Sequence, residues 1–180
     1  MTDLKGQKVA ILVDNYFEEA EFTEPLKALK KAGATVEVIA AEPQGRKVQA
    51  MRHIEKGKLF SIDKTLQEAN IDDYDALVLP GGAVNADQLR MQEKAREWVK
   101  SITKQDKPLA VICHAPWVLV SAGLAKGRKL TSFFTIQDDL RDAGANWVDQ
   151  EVVIDGNLIT SRSPDDIPAF NKALIAMMAA

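Results

Sequence analysis

The chain is poor in the residues that build metal sites and disulfides. Its 180 residues include one cysteine, Cys113, and two histidines, His53 and His114. A single cysteine excludes an intramolecular disulfide framework and fits a reducing compartment. No spacing among these side chains resembles a zinc motif, so neither a metal nor another cofactor is expected. Positive charge is not in excess: 23 Lys and Arg face 26 Asp and Glu, for a net charge of -3. That argues against nucleic acid as the main partner, since phosphate binding needs a clustered positive surface. No apolar run is long enough to span a bilayer. The polar stretch at residues 1–8 has no apolar signal core. A cytoplasmic protein with no membrane partner is therefore expected. Repeats, linkers and low-complexity tracts are also missing, and residues 1–180 are expected to form one domain.

What is present is an alternation of strand and helix patterns. Hydrophobic residues make up 46% of the chain and charged residues 27%, as in soluble globular proteins. Residues 8–13 are a continuous apolar run, the mark of a strand buried on both faces. A helix is expected over residues 19–31, closed by Gly33, then a strand over 34–40. Pro43, Gly45 and Gly57 punctuate short segments that suit a hairpin. Further strands are expected at 75–79, 108–112 and 129–133, with a hairpin around Asp155-Gly156 from 148 to 161. Helices are expected over 92–104, 116–122, 136–143 and 165–178. The alternation predicts an α/β fold with a mostly parallel central sheet and helices on both faces. Active sites in such sheets form beyond the carboxyl ends of the strands.

Three of those strand ends carry chemistry. After Val13 come Asp14-Asn15-Tyr16-Phe17-Glu18-Glu19. After Leu79 come Pro80-Gly81-Gly82, with Asp87 close behind. After Ile112 come Cys113 and His114, then Pro116 and a helix-forming stretch. A strand, sharp turn and helix is the context in which an α/β protein presents a nucleophile. Unpaired N–H groups at such a turn favour the thiolate, the reactive form of cysteine. Nucleophile, base, carboxylate and bare backbone donors are the parts of acyl-type chemistry. Each part also has a plainer role open to it. Cys113 could be a small buried hydrophobe, Gly81-Gly82 a tight turn, and Glu18 and Glu19 acids at a helix N-terminus. Glu21 and Glu24 fit that surface pattern, and Asp87 fits a helix N-terminal residue. Consecutive side chains around a sharp turn diverge, so His114 is not expected to reach the Cys113 sulfur. Either a carboxylic acid tunes the thiol, or another chain orients the imidazole.

These residues carry a resemblance. The chain resembles the PfpI-type branch of the ThiJ/PfpI superfamily over nearly its full length. It does so through Asp14-Asn-Tyr-Phe-Glu-Glu-Ala-Glu-Phe22, Leu79-Pro-Gly-Gly82, Val111-Ile-Cys-His-Ala-Pro116 and Thr160-Ser-Arg-Ser-Pro-Asp-Asp166. The resemblance implies a flavodoxin-like α/β sandwich that forms a dimer or larger homo-oligomer, with Cys113 as nucleophile at a strained elbow. It assigns Glu18 as the acid that hydrogen-bonds the sulfur, and His114 as the catalytic imidazole of peptidase-like members. It draws the carboxylate partner of that imidazole from a neighbouring subunit, and allowing one inserted residue this position falls on Asp87. Gly82 and the backbone of His114 would supply oxyanion-hole N–H groups. Ala115 and Trp117 depart from the residues common in relatives.

The activities implied are those of a stress-response cysteine hydrolase. Its substrates would be peptides, glycated proteins or small reactive carbonyls, as in protein deglycase or glyoxalase-like chemistry. All of these begin with a thiolate attacking an electrophilic carbon. The alternative is a non-enzymatic redox sensor or holdase in which Cys113 oxidises. A glutamine amidotransferase is disfavoured, because no downstream histidine follows His114.

Overall fold

The computed structural model describes residues 3–180; the first two residues of the polar N-terminal stretch lie outside it. In chain order the strands and helices begin with β1 (Lys8–Val13), β2 (Phe17–Glu18), α1 (Glu19–Lys31), β3 (Thr35–Ala40), β4 (Lys47–Arg52), β5 (Glu55–Ser61) and β6 (Lys64–Thr65). There follow β7 (Ala76–Leu79), α2 (Ala83–Met91), α3 (Glu93–Lys104), β8 (Leu109–Ile112), α4 (Pro116–Ser121) and β9 (Lys129–Leu130). The chain ends with α5 (Gln137–Asp142), β10 (Asn146–Trp147), β11 (Val153–Asp155), β12 (Leu158–Ser161) and α6 (Ile167–Met178).

Seven strands form the main sheet in the order β11-β12-β8-β7-β1-β3-β6. All neighbours are parallel except β11 and β12, an antiparallel hairpin at one edge. The continuous apolar runs of β1, β7 and β8 follow from covering both faces. Along β1, Val9, Ile11 and Val13 point to the face where α1 and α6 pack, with Phe22, Leu29, Phe170 and Leu174. Ala10 and Leu12 point to the opposite face, against Trp98, Val99 and Ile102 of α3 and Val118 and Leu119 of α4. The two-residue period of the strand thus divides one sequence run between two cores.

Three departures from the sequence expectations concern the periphery. The segment expected as a strand over 129–133 pairs only at Lys129–Leu130, with β10, outside the main sheet. It ends there because the Phe133 N–H turns inward to donate to the Cys113 carbonyl, at 2.7 Å. Residues 148–152 are not strand; only Val153–Asp155 pairs with β12. Asp87 lies within α2, a helix the sequence pattern did not resolve, and not at its N-terminus. The hairpin expected between residues 43 and 63 is β4–β5, which joins β2 in a small separate sheet. No helix among the described residues is long and apolar enough to cross a membrane.

Candidate active site

The ends of β1, β7 and β8 lie side by side, so the three loops singled out in the sequence meet on one edge of the sheet. Cys113 follows β8 directly and adopts φ 64, a left-handed conformation uncommon for a residue with a side chain. Both of its main-chain groups are pinned. Its N–H donates to the Ser161 carbonyl at 3.0 Å, and its carbonyl accepts from Phe133 N–H at 2.7 Å. The surrounding strands therefore impose the elbow. The helix after it, α4, has only six residues, so its dipole adds little.

Two glycines make room for this elbow, each for a different reason. A methyl group on Gly81 would stand 2.5 Å from Glu21 Oε2 and 2.6 Å from Cys113 Cβ. Gly82 has φ 91, and a side chain there would meet the backbone of Tyr16 and Glu18 at 2.8 Å. With that space free, the backbone of Gly82 and of His114 closes in on the thiol, and their N–H groups act to lower its pKa. Gly82 and His114 are the two residues the resemblance gives as oxyanion donors, and both line the thiol cavity.

The acid at the thiol is Glu21, not Glu18. Glu21 is fully buried, and its carboxyl lies beside the Cys113 side chain, both crowding the position a Gly81 side chain would take. Oε2 accepts the Gly81 N–H at 2.8 Å, while Oε1 has no hydrogen-bond partner among the described residues. Burial, with the nearby charge of Glu18 adding to it, raises the Glu21 pKa to about 8. Burial and the charge of Glu21 likewise push the Cys113 thiol up, opposed by the Gly82 and His114 N–H groups. The two groups titrate as a unit. While Glu21 keeps its proton it is a donor facing the sulfur and exerts no repulsion. Glu18 is half-buried at the end of β2 and lines the same cavity, but its Oε2 accepts the backbone N–H of His53 at 3.1 Å. The reason is helical phase: α1 starts at Glu19, and its first turn carries Glu21 inward against the sheet.

His114 does reach the sulfur of its neighbour. Its Nδ1 lies 3.1 Å from Cys113 Sγ, and its Nε2 is 3.4 Å from Thr135 Oγ1. The left-handed turn at Cys113 brings the two side chains to one side, where an ordinary turn would splay them. The ring stacks on Phe133, with centroids 4.7 Å apart, and meets the edge of Trp117. Burial lowers the imidazole pKa, which favours the neutral form. A neutral ring can take the thiol proton or donate to the thiolate. Asp87 sits elsewhere. It is exposed on α2 and lines a separate cleft of about 610 Å³ with Asp14 and Glu42.

The thiol opens into a cavity of about 280 Å³, walled by Tyr16, Gly82, Val84, Phe133 and Pro164 and by His53 and Ile54 from the β4–β5 hairpin tip. His53 has no place in the sequence reading of the site. Its approach depends on the hairpin folding back over the sheet edge, which no local pattern announces. Among the described residues no group of three or more His, Cys, Asp or Glu is arranged to hold a metal ion.

Fold and elbow together define the class: a flavodoxin-like α/β protein with a cysteine at a nucleophile elbow. Comparison with known proteins narrows it. The chain belongs to the DJ-1/PfpI family, whose model matches residues 7–177. It is 40% identical to general stress protein 18 of Bacillus subtilis, over 96% of this chain and 98% of that protein. It is 40% identical to the deglycase PfpI of Pyrococcus furiosus, over 95% of this chain and 99% of that one. Among solved structures, Drosophila melanogaster DJ-1beta superposes with a TM-score of 0.88 at 29% identity, covering 96% of this chain and 90% of the other.

Proposed function

We propose that the chain is a cysteine-dependent hydrolase that attacks reactive-carbonyl adducts or peptides through a Cys113 thiolate, in a stress-protective role. The observation that carries this reading is one buried sulfur at a left-handed elbow, with His114 Nδ1 3.1 Å away and the Glu21 carboxyl and the Gly82 backbone around it. In the reaction, His114 Nδ1 takes the thiol proton and neutral Glu21 supports the resulting charge. As the thiolate adds to a carbonyl carbon, the Gly82 and His114 N–H groups are placed to turn to the developing oxyanion. Relatives bearing the names deglycase and general stress protein favour adduct removal and stress protection as the setting. A homo-oligomer in the cytoplasm belongs to the same reading, with the exposed carboxylate of Asp87 available to the site of a neighbouring copy. The redox-sensor alternative draws on the same three groups, which suit the oxygens of an oxidised sulfur equally well.

The test is the rate of Cys113 alkylation against pH, followed by intact mass, together with turnover of methylglyoxal-treated peptides and peptide amides. Burial pushes the thiol up, so a reactive plateau below about pH 8.5, the ordinary thiol value, is the expected sign that neutral Glu21 and His114 together outweigh burial. Glu21→Ala should slow labelling at pH 7 by about tenfold, the effect of one pKa unit, and Glu18→Gln by less. Cys113→Ala should abolish turnover. Full turnover by Cys113→Ala would refute the mechanism. Client protection that persists in that variant, with no turnover by the wild type, would favour a holdase.

A further inference from the structure

The site has two proton-transfer tasks, and one imidazole sits on the sulfur. His114 is fully engaged: Nδ1 on sulfur, Nε2 beside Thr135, and its ring face on Phe133. Nothing yet serves the nitrogen of a departing amine, which leaves readily only when protonated. The second histidine stands where that nitrogen would be. His53 sits in the turn between β4 and β5 and walls the thiol cavity. It also walls a larger cleft of about 600 Å³ that opens beyond it, so with Phe133 and Pro164 it forms the partition between the two. A substrate with its carbonyl over Gly82 would extend its leaving half past His53 into that cleft.

The backbone at His53 is held for such a role. Its φ is 57, and its N–H is fixed on Glu18 Oε2. The adjoining carboxylate, Glu19, takes Arg52 Nη2 at 3.0 Å and Lys58 N–H at 2.8 Å. The segment that carries Glu21 to the sulfur therefore also ties the hairpin turn to the cavity mouth. The His53 ring makes no hydrogen bond to any described residue, so both nitrogens are free to meet a ligand.

We propose that His53 is a catalytic residue, the proton donor to the departing amine and then the acceptor of the hydrolytic water proton; this rests on the hydrolase reading of Cys113. The thiolate pair forms the S–C bond and the carbonyl π pair moves to oxygen. That pair returns to re-form C=O as the C–N bond breaks, and the C–N electrons take a proton from the His53 imidazolium, releasing a neutral amine. Water then adds to the thioester, giving its proton to neutral His53. Collapse expels the thiolate and leaves a carboxylic acid, with His53 protonated again. An imidazole is the side chain suited to move a proton both ways near neutral pH.

The experiment presents one acyl group as a p-nitrophenyl ester, a p-nitroanilide and a simple alkylamide to wild type and to His53→Gln. Nitrophenolate leaves without a proton, whereas an alkylamine does not. Loss of kcat/KM, which reports acylation and not the shared thioester hydrolysis, should therefore grow in His53→Gln as the leaving group worsens, to about 100-fold on the alkylamide, the scale of one general acid. It should stay within about twofold on the ester, as should iodoacetamide labelling of Cys113. An equal loss on all three substrates, or none on the alkylamide, overturns the role of His53 and leaves the hydrolase reading standing. A wild type that labels at Cys113 yet hydrolyses none of the three overturns both.

Discussion

At the scale of single residues the decisive side chain is Glu21. Its position was legible, because Glu21, Pro25 and Leu29 recur at four-residue spacing and form the buried stripe of α1. An acid on an apolar stripe is a signal that reading Glu18 to Glu24 as a run of solvated acids overlooks. Its chemistry has a consequence for stability. A carboxyl with its pKa raised from 4.5 to about 8 keeps its proton in the fold while the unfolded chain has already lost it. The unfolded state then binds fewer protons, so this group makes stability fall as pH rises from 4.5 to about 8. At about 1.4 kcal/mol per pH unit, the whole window is worth a few kcal/mol. Glu21→Gln keeps an acceptor for the Gly81 N–H and removes the titration. Urea midpoints at pH 5 and pH 8 should therefore differ less in Glu21→Gln than in the wild type, with the variant gaining most at pH 8. Equal pH slopes in the two proteins would mean that Glu21 is ionised throughout.

At the scale of elements, what the sequence shows well is what the sheet buries on both sides. The runs of β1, β7 and β8 and the span of α1 follow from apolar periodicity alone. The loops between them are less legible, because long-range contacts fix their paths. The β7–α2 connection is held by Asn85, a fully buried amide. Its Nδ2 donates to the carbonyls of Pro80 and Gly81 at 3.0 and 2.9 Å, and its Oδ1 accepts the Asp14 N–H at 2.6 Å. One side chain thus joins the β1 loop to the glycine pair beside the thiol. In the sequence it is only one polar residue in a short polar stretch. Asn85→Ala leaves the Asp14 N–H and the Pro80 carbonyl without this partner, while the Gly81 carbonyl keeps the Glu18 N–H at 3.2 Å; the cost is about 1–3 kcal/mol for each group that stays buried and unpaired. Its urea midpoint should fall by the equivalent of at least about 2 kcal/mol. A change near zero would show that water reaches this loop and replaces the amide.

At the scale of the whole molecule, one carboxylate ties several strands of the sheet together at its β3 edge. Glu37 on β3 meets Lys8 of β1 at 2.9 Å and Lys64 of β6 at 3.2 Å, and accepts the Tyr74 hydroxyl just before β7. Burial alone would raise its pKa, but the hydrogen bonds from Tyr74, Lys8 and Lys64 outweigh burial and hold it near 2. This is the opposite case to Glu21. The fold favours the ionised form, so the stabilisation is full above the ordinary 4.5 and is lost as pH falls from 4.5 towards 2. The two carboxylates therefore act on different limbs of one stability curve, Glu37 on the acid side and Glu21 on the neutral side. Glu37→Gln should flatten the limb between pH 4.5 and 2, measured by thermal unfolding, and leave the slope from pH 5 to 8 as in the wild type. Glu21→Gln should do the reverse. The sites lie in different parts of the sheet and share no partner, so the effects of the double variant should add. Failure of that additivity would mean that protonating the edge of the sheet is felt at the thiol, and that the two cores on either side of β1 respond as one unit.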